Sequence, residues 1–202
     1  ELADIGTARS NPLFSMSRGL GTADQRAIKS LDLSVAGTSY VPLSARLDRA
    51  GGDWTLETHV KLPDGESGVI VQYGTTAGKQ YRLEILADGR PSISFDDSDG
   101  IRRSVTCPMD ITDDQWHYLA AVWSATEQTL TLYTDNMIDT ADADDFADPV
   151  TGMVDTVTPA SGTGVGVIGR GFANGYLDEL RVWNTARSKQ DLEANRQVFA
   201  AP

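Results

Sequence analysis

One cysteine, Cys107, stands among the 202 residues. A single thiol makes no internal disulfide and no thiolate metal cluster. Histidine is nearly as scarce: with only His59 and His117, a three-histidine zinc centre is excluded. Basic residues are few, and the net charge is −12. Nucleic acid and anionic lipid carry the same sign, so neither is expected as a partner. No apolar run approaches the roughly 20 residues of a spanning helix, so no membrane insertion is expected. The G-x-S-x-G nucleophile elbow is missing, and no Cys/His pair occurs in a recognisable setting. Nor does the chain open on a charged-then-apolar leader; it begins at Glu1. A processed form, or a piece of a longer protein with other domains on its flanks, is expected.

What remains is enough for one β domain. Hydrophobic residues make up 40% of the chain, which at this length can bury a sizeable core. The acidity is lopsided, with 22 Asp against 7 Glu and 13 Arg against 4 Lys. Aspartate favours turns over strands and helices, so many carboxylates should lie in loops, where a hard cation such as calcium can bind.

Short apolar runs recur from Leu31 onward, separated by turn residues. Leu31–Leu33, Tyr40–Leu43 and Asp53–Leu62 open the series. In the third, Trp54, Leu56 and Val60 share one face, leaving Glu57, His59 and Lys61 on an exposed one. Val69–Tyr73 and Tyr81–Ile85 follow. Asp88-Gly89 is a hairpin signal, read as a two-residue turn, and Ile93 and Phe95 lie on the returning strand. Trp116–Trp123 is apolar on both faces, as a covered central strand would be. Thr129–Tyr133 returns from it. Between 139 and 164 two loops surround one short strand near Met153–Val157, and the glycine-spaced run 164–169 reads as strand. Ser188 can cap a helix with Asp191 three residues on, and Leu192, Val198 and Phe199 can pack that helix on the sheet.

The stretch Gly175–Arg187 is the most informative. Leu180 and Val182 keep the two-residue beat, but Leu177 falls three before Leu180. Either the strand bulges at Asp178-Glu179 or its first half is buried on both faces, and a bulge would re-aim the two carboxylates. The fold expected is all-β, a two-sheet antiparallel sandwich of jelly-roll type with a short C-terminal helix. Residues 26–202 form it, and residues 1–25 are an extension, an added strand or a lead-in.

Four of these stretches, in order, resemble the laminin-G-like jelly roll of the concanavalin A-like lectin/glucanase superfamily: Leu31–Leu33 with Tyr40-Val41, Trp54–Val60, Gln115–Trp123 with Leu130–Tyr133, and Gly175–Arg187. They run from about Ala27 to Val198. The resemblance implies the same fold and says less about function. Some members of that superfamily hold a structural calcium between the last strand and the opening region. It implies Asp178 as a ligand, with Asp32 nearby, although Ala36–Ser39 lacks the aspartate that relatives often carry there. Glucanases of the superfamily set carboxylates at alternate positions along one strand. Here Asp178 and Glu179 are adjacent, Glu57 and Glu84 stand alone, and no Glu-x-Asp-x-x-Glu run occurs, so an enzyme is not expected.

Two further acidic groups compete for calcium: the turn Asp97-Ser-Asp99-Gly100, and the run Asp139, Asp142, Asp144, Asp145 and Asp148. For ligand binding, Phe172 and Tyr176 are placed to stack on a sugar ring at the sandwich rim. Asp97, Asp99, Arg102 and Arg103 form a second polar rim. The expected function is a non-catalytic recognition module of a larger secreted or cell-surface protein, binding a glycan or glycoprotein through rim loops. The alternatives are a structural or protein-interaction domain without a sugar site and, behind both, a glycoside hydrolase.

Overall fold

The chain forms strands where its apolar residues alternate and breaks where glycine, proline and aspartate gather. A computed structural model describes residues 3–4, 14–15, 30–34, 41–43, 52–75, 78–136, 150–153 and 166–196. The strands are β1 (Ala3–Asp4), β2 (Phe14–Ser15), β3 (Leu31–Asp32), β4 (Val41–Leu43), β5 (Trp54–Lys61), β6 (Gly68–Thr75) and β7 (Gly78–Ile85). Next come β8 (Pro91–Asp96), β9 (Arg102–Thr106), β10 (Trp116–Ser124), β11 (Thr129–Asn136), β12 (Val150–Met153), β13 (Gly166–Arg170) and β14 (Tyr176–Trp183). Helix α1 (Lys189–Arg196) closes the described chain.

These strands make two antiparallel sheets. An eight-stranded sheet, sheet A, runs β1-β2-β14-β5-β10-β11-β12, with β3 also paired to β14. A six-stranded sheet, sheet B, runs β4-β13-β6-β7-β8-β9. The inward faces meet in one core containing Trp54, Leu56, Val60, Tyr81, Leu83, Phe95, Leu119, Trp123, Leu177 and Leu180. Aromatic contacts stitch the layers together. Trp54 of sheet A meets Tyr81 of sheet B at 5.6 Å between ring centroids, and Trp123 meets Phe95 edge-on at 4.8 Å. Such pairs contribute about 0.5–1.5 kcal/mol beyond the area they bury.

The outer face of sheet A is also covered. Leu192 of α1 packs with Tyr118, Ala120 and Val122 of β10. The helix starts where expected: the Ser188 hydroxyl accepts from the Asp191 amide at 3.2 Å, and the Asp191 carboxylate accepts from the Ser188 amide at 3.3 Å. This reciprocal pair satisfies two otherwise orphaned donors. Glu57 and His59, expected on an exposed face, are each 1% exposed, with the His59 ring 5.1 Å from that of Tyr118.

The Asp88-Gly89 hairpin differs from the expected two-residue turn. Gly89 donates to the Leu86 carbonyl and Leu86 to that of Arg90, while Gly89 sits at φ +76°. This is a longer loop of turn plus left-handed glycine. β12 lies at Val150–Met153, ahead of the position expected for it. The turn 36–39, the aspartates from 139 to 148, and Val198 and Phe199 fall outside the described residues.

Candidate functional site

The phase change in the last strand is a bulge. On β14, Asp178 stands opposite His59 and Arg181 opposite Glu57, so Glu179 and Leu180 together face Thr58. Glu179 takes φ +54°, a left-handed conformation uncommon for residues other than glycine. The extra residue returns Leu180 to the core face shared with Leu177. Thr58 Oγ1 donates to the Asp178 carbonyl at 3.0 Å, and the Glu179 amide donates to Asp178 Oδ1 at 2.9 Å.

The bulge turns Glu179 into a buried ionic network. Its carboxylate accepts from Arg181 at 2.6 Å, and Arg181 stands 3.7 Å from Glu57. Glu57 also accepts from the Tyr118 hydroxyl at 3.0 Å and lies 3.2 Å from Arg187 Nε. Burial pushes the Glu57 acid up against the downward pull of Arg181, Arg187 and Tyr118. The Tyr118 phenol is held well above its ordinary range, chiefly by burial and then by the Glu57 charge. Arg187 carries the network to the helix: it donates to the Asp191 carbonyl at 3.0 Å and lies 4.0 Å over the Trp183 ring. The cluster fastens α1 to sheet A.

Asp178 and Asp32, expected as calcium ligands, each hold a hydrogen bond to neighbouring backbone. Asp32 is the register partner of Tyr176, two residues away from Asp178 along β14. Its Oδ1 accepts from both the amide and the hydroxyl of Ser34, while Asp178 is buried and spends Oδ1 on the bulge. Among the described residues, no group of three or more acidic, His or Cys side chains gathers to hold a metal.

The second rim candidate is a self-satisfied hairpin. Asp97 Oδ1 accepts from the amides of Asp99 and Ile101, and its other oxygen accepts from Arg103. Arg102 donates to Asp96 at 3.0 Å. Of the four rim candidates, Asp99 and Arg102 are exposed. Asp97 and Arg103 are committed to the turn, because a buried carboxylate must be bonded to be tolerated.

Phe172 is not a stacking platform. It is 1% exposed within the core cluster, and its ring lies under Gly68. Tyr176 does reach the rim, and it is not alone there. It pairs with Lys61 on β5, and Lys61 pairs in turn with Trp116 on β10. Asp32 flanks Tyr176 on the other side. Residues in register on adjacent strands share a face, so Asp32, Tyr176, Lys61 and Trp116 form one row across the end of sheet A. The two rings converge to 6.4 Å between centroids, both half-buried, and Lys61 is 3.6 Å from Asp114. Gly175 fixes where the row begins. It has φ +112°, and a Cβ there would stand 2.7 Å from both Leu62 Cδ2 and the Lys61 carbonyl.

A family model described as Concanavalin A-like lectin/glucanases superfamily matches residues 35–193. Among solved structures, mouse laminin alpha1 chain, domains LG4-5, aligns at TM-score 0.57 and 15% identity, covering 94% of this chain and 47% of that one. The chain thus spans about half the length of that laminin structure. The Ruminococcus gnavus IT-sialidase CBM40 aligns at 0.54 and 16% identity, covering 73% and 84%. The same protein bound to alpha2,6 sialyllactose gives 0.54 at 14% identity, covering 72% and 84%. At these identities the likeness is one of fold. No curated protein sequence matches the chain.

Proposed function

The chain belongs to the concanavalin A-like lectin/glucanases superfamily, and from that footing we propose that it is a non-catalytic recognition module whose rim binds a glycan or glycoprotein. The carrying observation is the row of Trp116, Lys61 and Tyr176. Aromatic faces stack on the apolar faces of sugar rings while their polar edges stay wet. Lys61 between them donates, and Asp32 and Asp114 accept, so hydroxyls around a stacked sugar find partners on both sides. A fold neighbour solved with alpha2,6 sialyllactose supports this reading of the scaffold.

The non-catalytic part rests on the carboxylates. A glycosidase sets two of them about 5–9.5 Å apart across an accessible bond. Glu57, Asp178 and Glu179 are all buried, and Glu57 and Glu179 are tied to arginines. The module acts outside the cell or at its surface within a longer chain, with residues 26–202 as the body of the sandwich and residues 1–25 as an extension that adds strands β1 and β2 to sheet A. Among the described residues, no helix is long and apolar enough to cross a membrane.

A glycan array with wild type, Trp116→Ala and Tyr176→Ala tests the rim. Each substitution should weaken binding about tenfold, as loss of a well-placed aromatic anchor does. A silent array would favour a protein-interaction domain instead. Binding that survives both substitutions would overturn the rim assignment.

A further inference from the structure

Of the chain's five asparagines, Asn11, Asn136, Asn184 and Asn195 precede proline, methionine, threonine and arginine, while Asn174 precedes glycine. Asparagine is a thermolabile residue, because the backbone amide that follows it can attack its side-chain carboxamide. A side chain on the following residue hinders that attack, and glycine has none.

The fold brings the two reacting groups together. The Gly175 amide donates to Asn174 Oδ1 at 2.8 Å, so the nitrogen already faces the carboxamide it would attack. Both ends of the segment are held. The Ala173 amide donates to the Glu66 carboxylate at 2.9 Å, and the Gly175 carbonyl accepts from the Leu33 amide at 2.9 Å. Asn174 is exposed, which gives water access to it, whereas Gly175 is buried. Tyr176, the aromatic of the rim row, is the next residue.

We propose that Asn174 is a self-modification site whose conversion displaces Tyr176 from its row. The Gly175 nitrogen bonds to Asn174 Cγ, the Cγ–Nδ2 bond breaks, and ammonia leaves with the proton of the Gly175 amide. Water then opens the resulting cyclic imide. Addition at Cγ gives an ordinary aspartate. Addition at the backbone carbonyl breaks its bond to nitrogen and routes the chain through Cγ, giving isoaspartate. No electrons are gained or lost, and water is the only co-reactant. Isoaspartate lengthens the main chain by the Cβ methylene and leaves a new carboxylate beside Gly175. Gly175 has no slack to absorb the change, since even a Cβ there would stand 2.7 Å from the Lys61 carbonyl. Tyr176 therefore shifts against Lys61 and Trp116. The effect on a bound glycan rests on the rim reading given above; the modification itself does not.

Ageing the full chain in mildly alkaline buffer tests this, read by peptide mapping and then by backbone hydrogen exchange. Asn174 should convert to a mixture of aspartate and isoaspartate. Its rate should fall within about tenfold of that in a free peptide spanning 171–178, because the fold already holds the reacting groups together. Asn184, also exposed but followed by threonine, should stay intact over the same period, and Asn174→Gln should abolish the conversion. The isoaspartyl form, separated from its aspartyl twin by chromatography, should exchange the amides of 176–178 at least tenfold faster than fresh protein. Asn174→Asp carries the charge without the extra methylene and should exchange like wild type. On the glycan array the isoaspartyl form should bind at least tenfold more weakly. The proposal is overturned if Asn174 survives ageing, converts no faster than Asn184, or lags the peptide by more than that margin. Unaltered exchange in the isoaspartyl form overturns it equally. An array silent with fresh protein counts against the rim reading alone, since mapping and exchange still decide the modification.

Discussion

Removing one guanidinium should loosen the C-terminal helix and destabilise the whole sandwich. Arg187→Ala deletes three interactions at once: the 4.0 Å stack on Trp183, the bond to the Asp191 carbonyl, and the 3.2 Å approach to Glu57. The cation–π contact contributes about 0.5–2 kcal/mol and the charge-assisted bond about 1.5 kcal/mol. Breaking a buried ion pair costs about 3–5 kcal/mol because it strands the partner. Glu57 keeps Arg181 at 3.7 Å and the Tyr118 hydroxyl, so that loss falls below the quoted range. The expected total is about 4 kcal/mol, or roughly 8–16 °C in melting temperature at this chain length. Urea denaturation followed by circular dichroism measures it directly. In a Glu57→Gln background the same substitution should cost at least about 1 kcal/mol less, because no stranded charge remains. The pH dependence has a definite sign. The Glu57 acid is raised in the fold, so its favourable contribution is full below its unfolded value near 4.5 and is lost as pH rises through the folded value. The penalty of Arg187→Ala should therefore shrink between pH 7 and 5. Asp110 and Asp191, held low by the Thr112 and Ser188 hydroxyls, lose their contribution only as pH falls below about 3.8, outside that window. A cost under about 1 kcal/mol, or one that grows on acidification, would refute this account of the network.

Two further outcomes follow from the same geometry. Phe172→Ala should act as a core deletion, lowering unfolding free energy by about 3–5 kcal/mol while glycan affinity of the folded protein holds; a binding loss without destabilisation would restore it to the rim. Gly175→Ala should both destabilise by at least about 2 kcal/mol and weaken rim binding, since a side chain at φ +112° meets the Lys61 carbonyl. An unchanged melting curve would count against Gly175 as the residue that sets the position of Tyr176.

How much of this could be read from the chain depended on whether the cause was local. The bulge at Asp178-Glu179 was legible because it leaves a phase slip in the sequence itself. So were the Ser188–Asp191 cap and the covered strand Trp116–Trp123, each recorded within a few residues. Burial of Glu57 was not, because its cover includes Arg187, more than a hundred positions away, and that of His59 was not, because it lies against Tyr118 of another strand. The position of Tyr176 beside the 169–175 loop is legible in the sequence, but its neighbour Trp116 lies in what reads as plain strand; the register of three strands around Lys61 joins them. Phe172 shows the opposite failure: a loop aromatic can point either way, and Gly68 opens the space that draws it inward. Ser92 and Ser94 alternate with Ile93 and Phe95 as on any half-exposed strand, and nothing in the sequence marks that both serines are buried.

The neighbours of the last strand also set an order of assembly. Among the described residues, β2 joins β1 to the body of sheet A through β14, at Ser15–Arg181 and Phe14–Val182, and β3 pairs with β14 alone. Of these strands, β2 and β3 are made well before β14 and cannot take their places beside it until it has been made. Local hairpins such as β7–β8 and β10–β11 can close as they are synthesised. The edge that carries Asp32 and Tyr176 is a long-range closure, and closures of that kind are slow. Half of the rim comes into being only once β14 has been made.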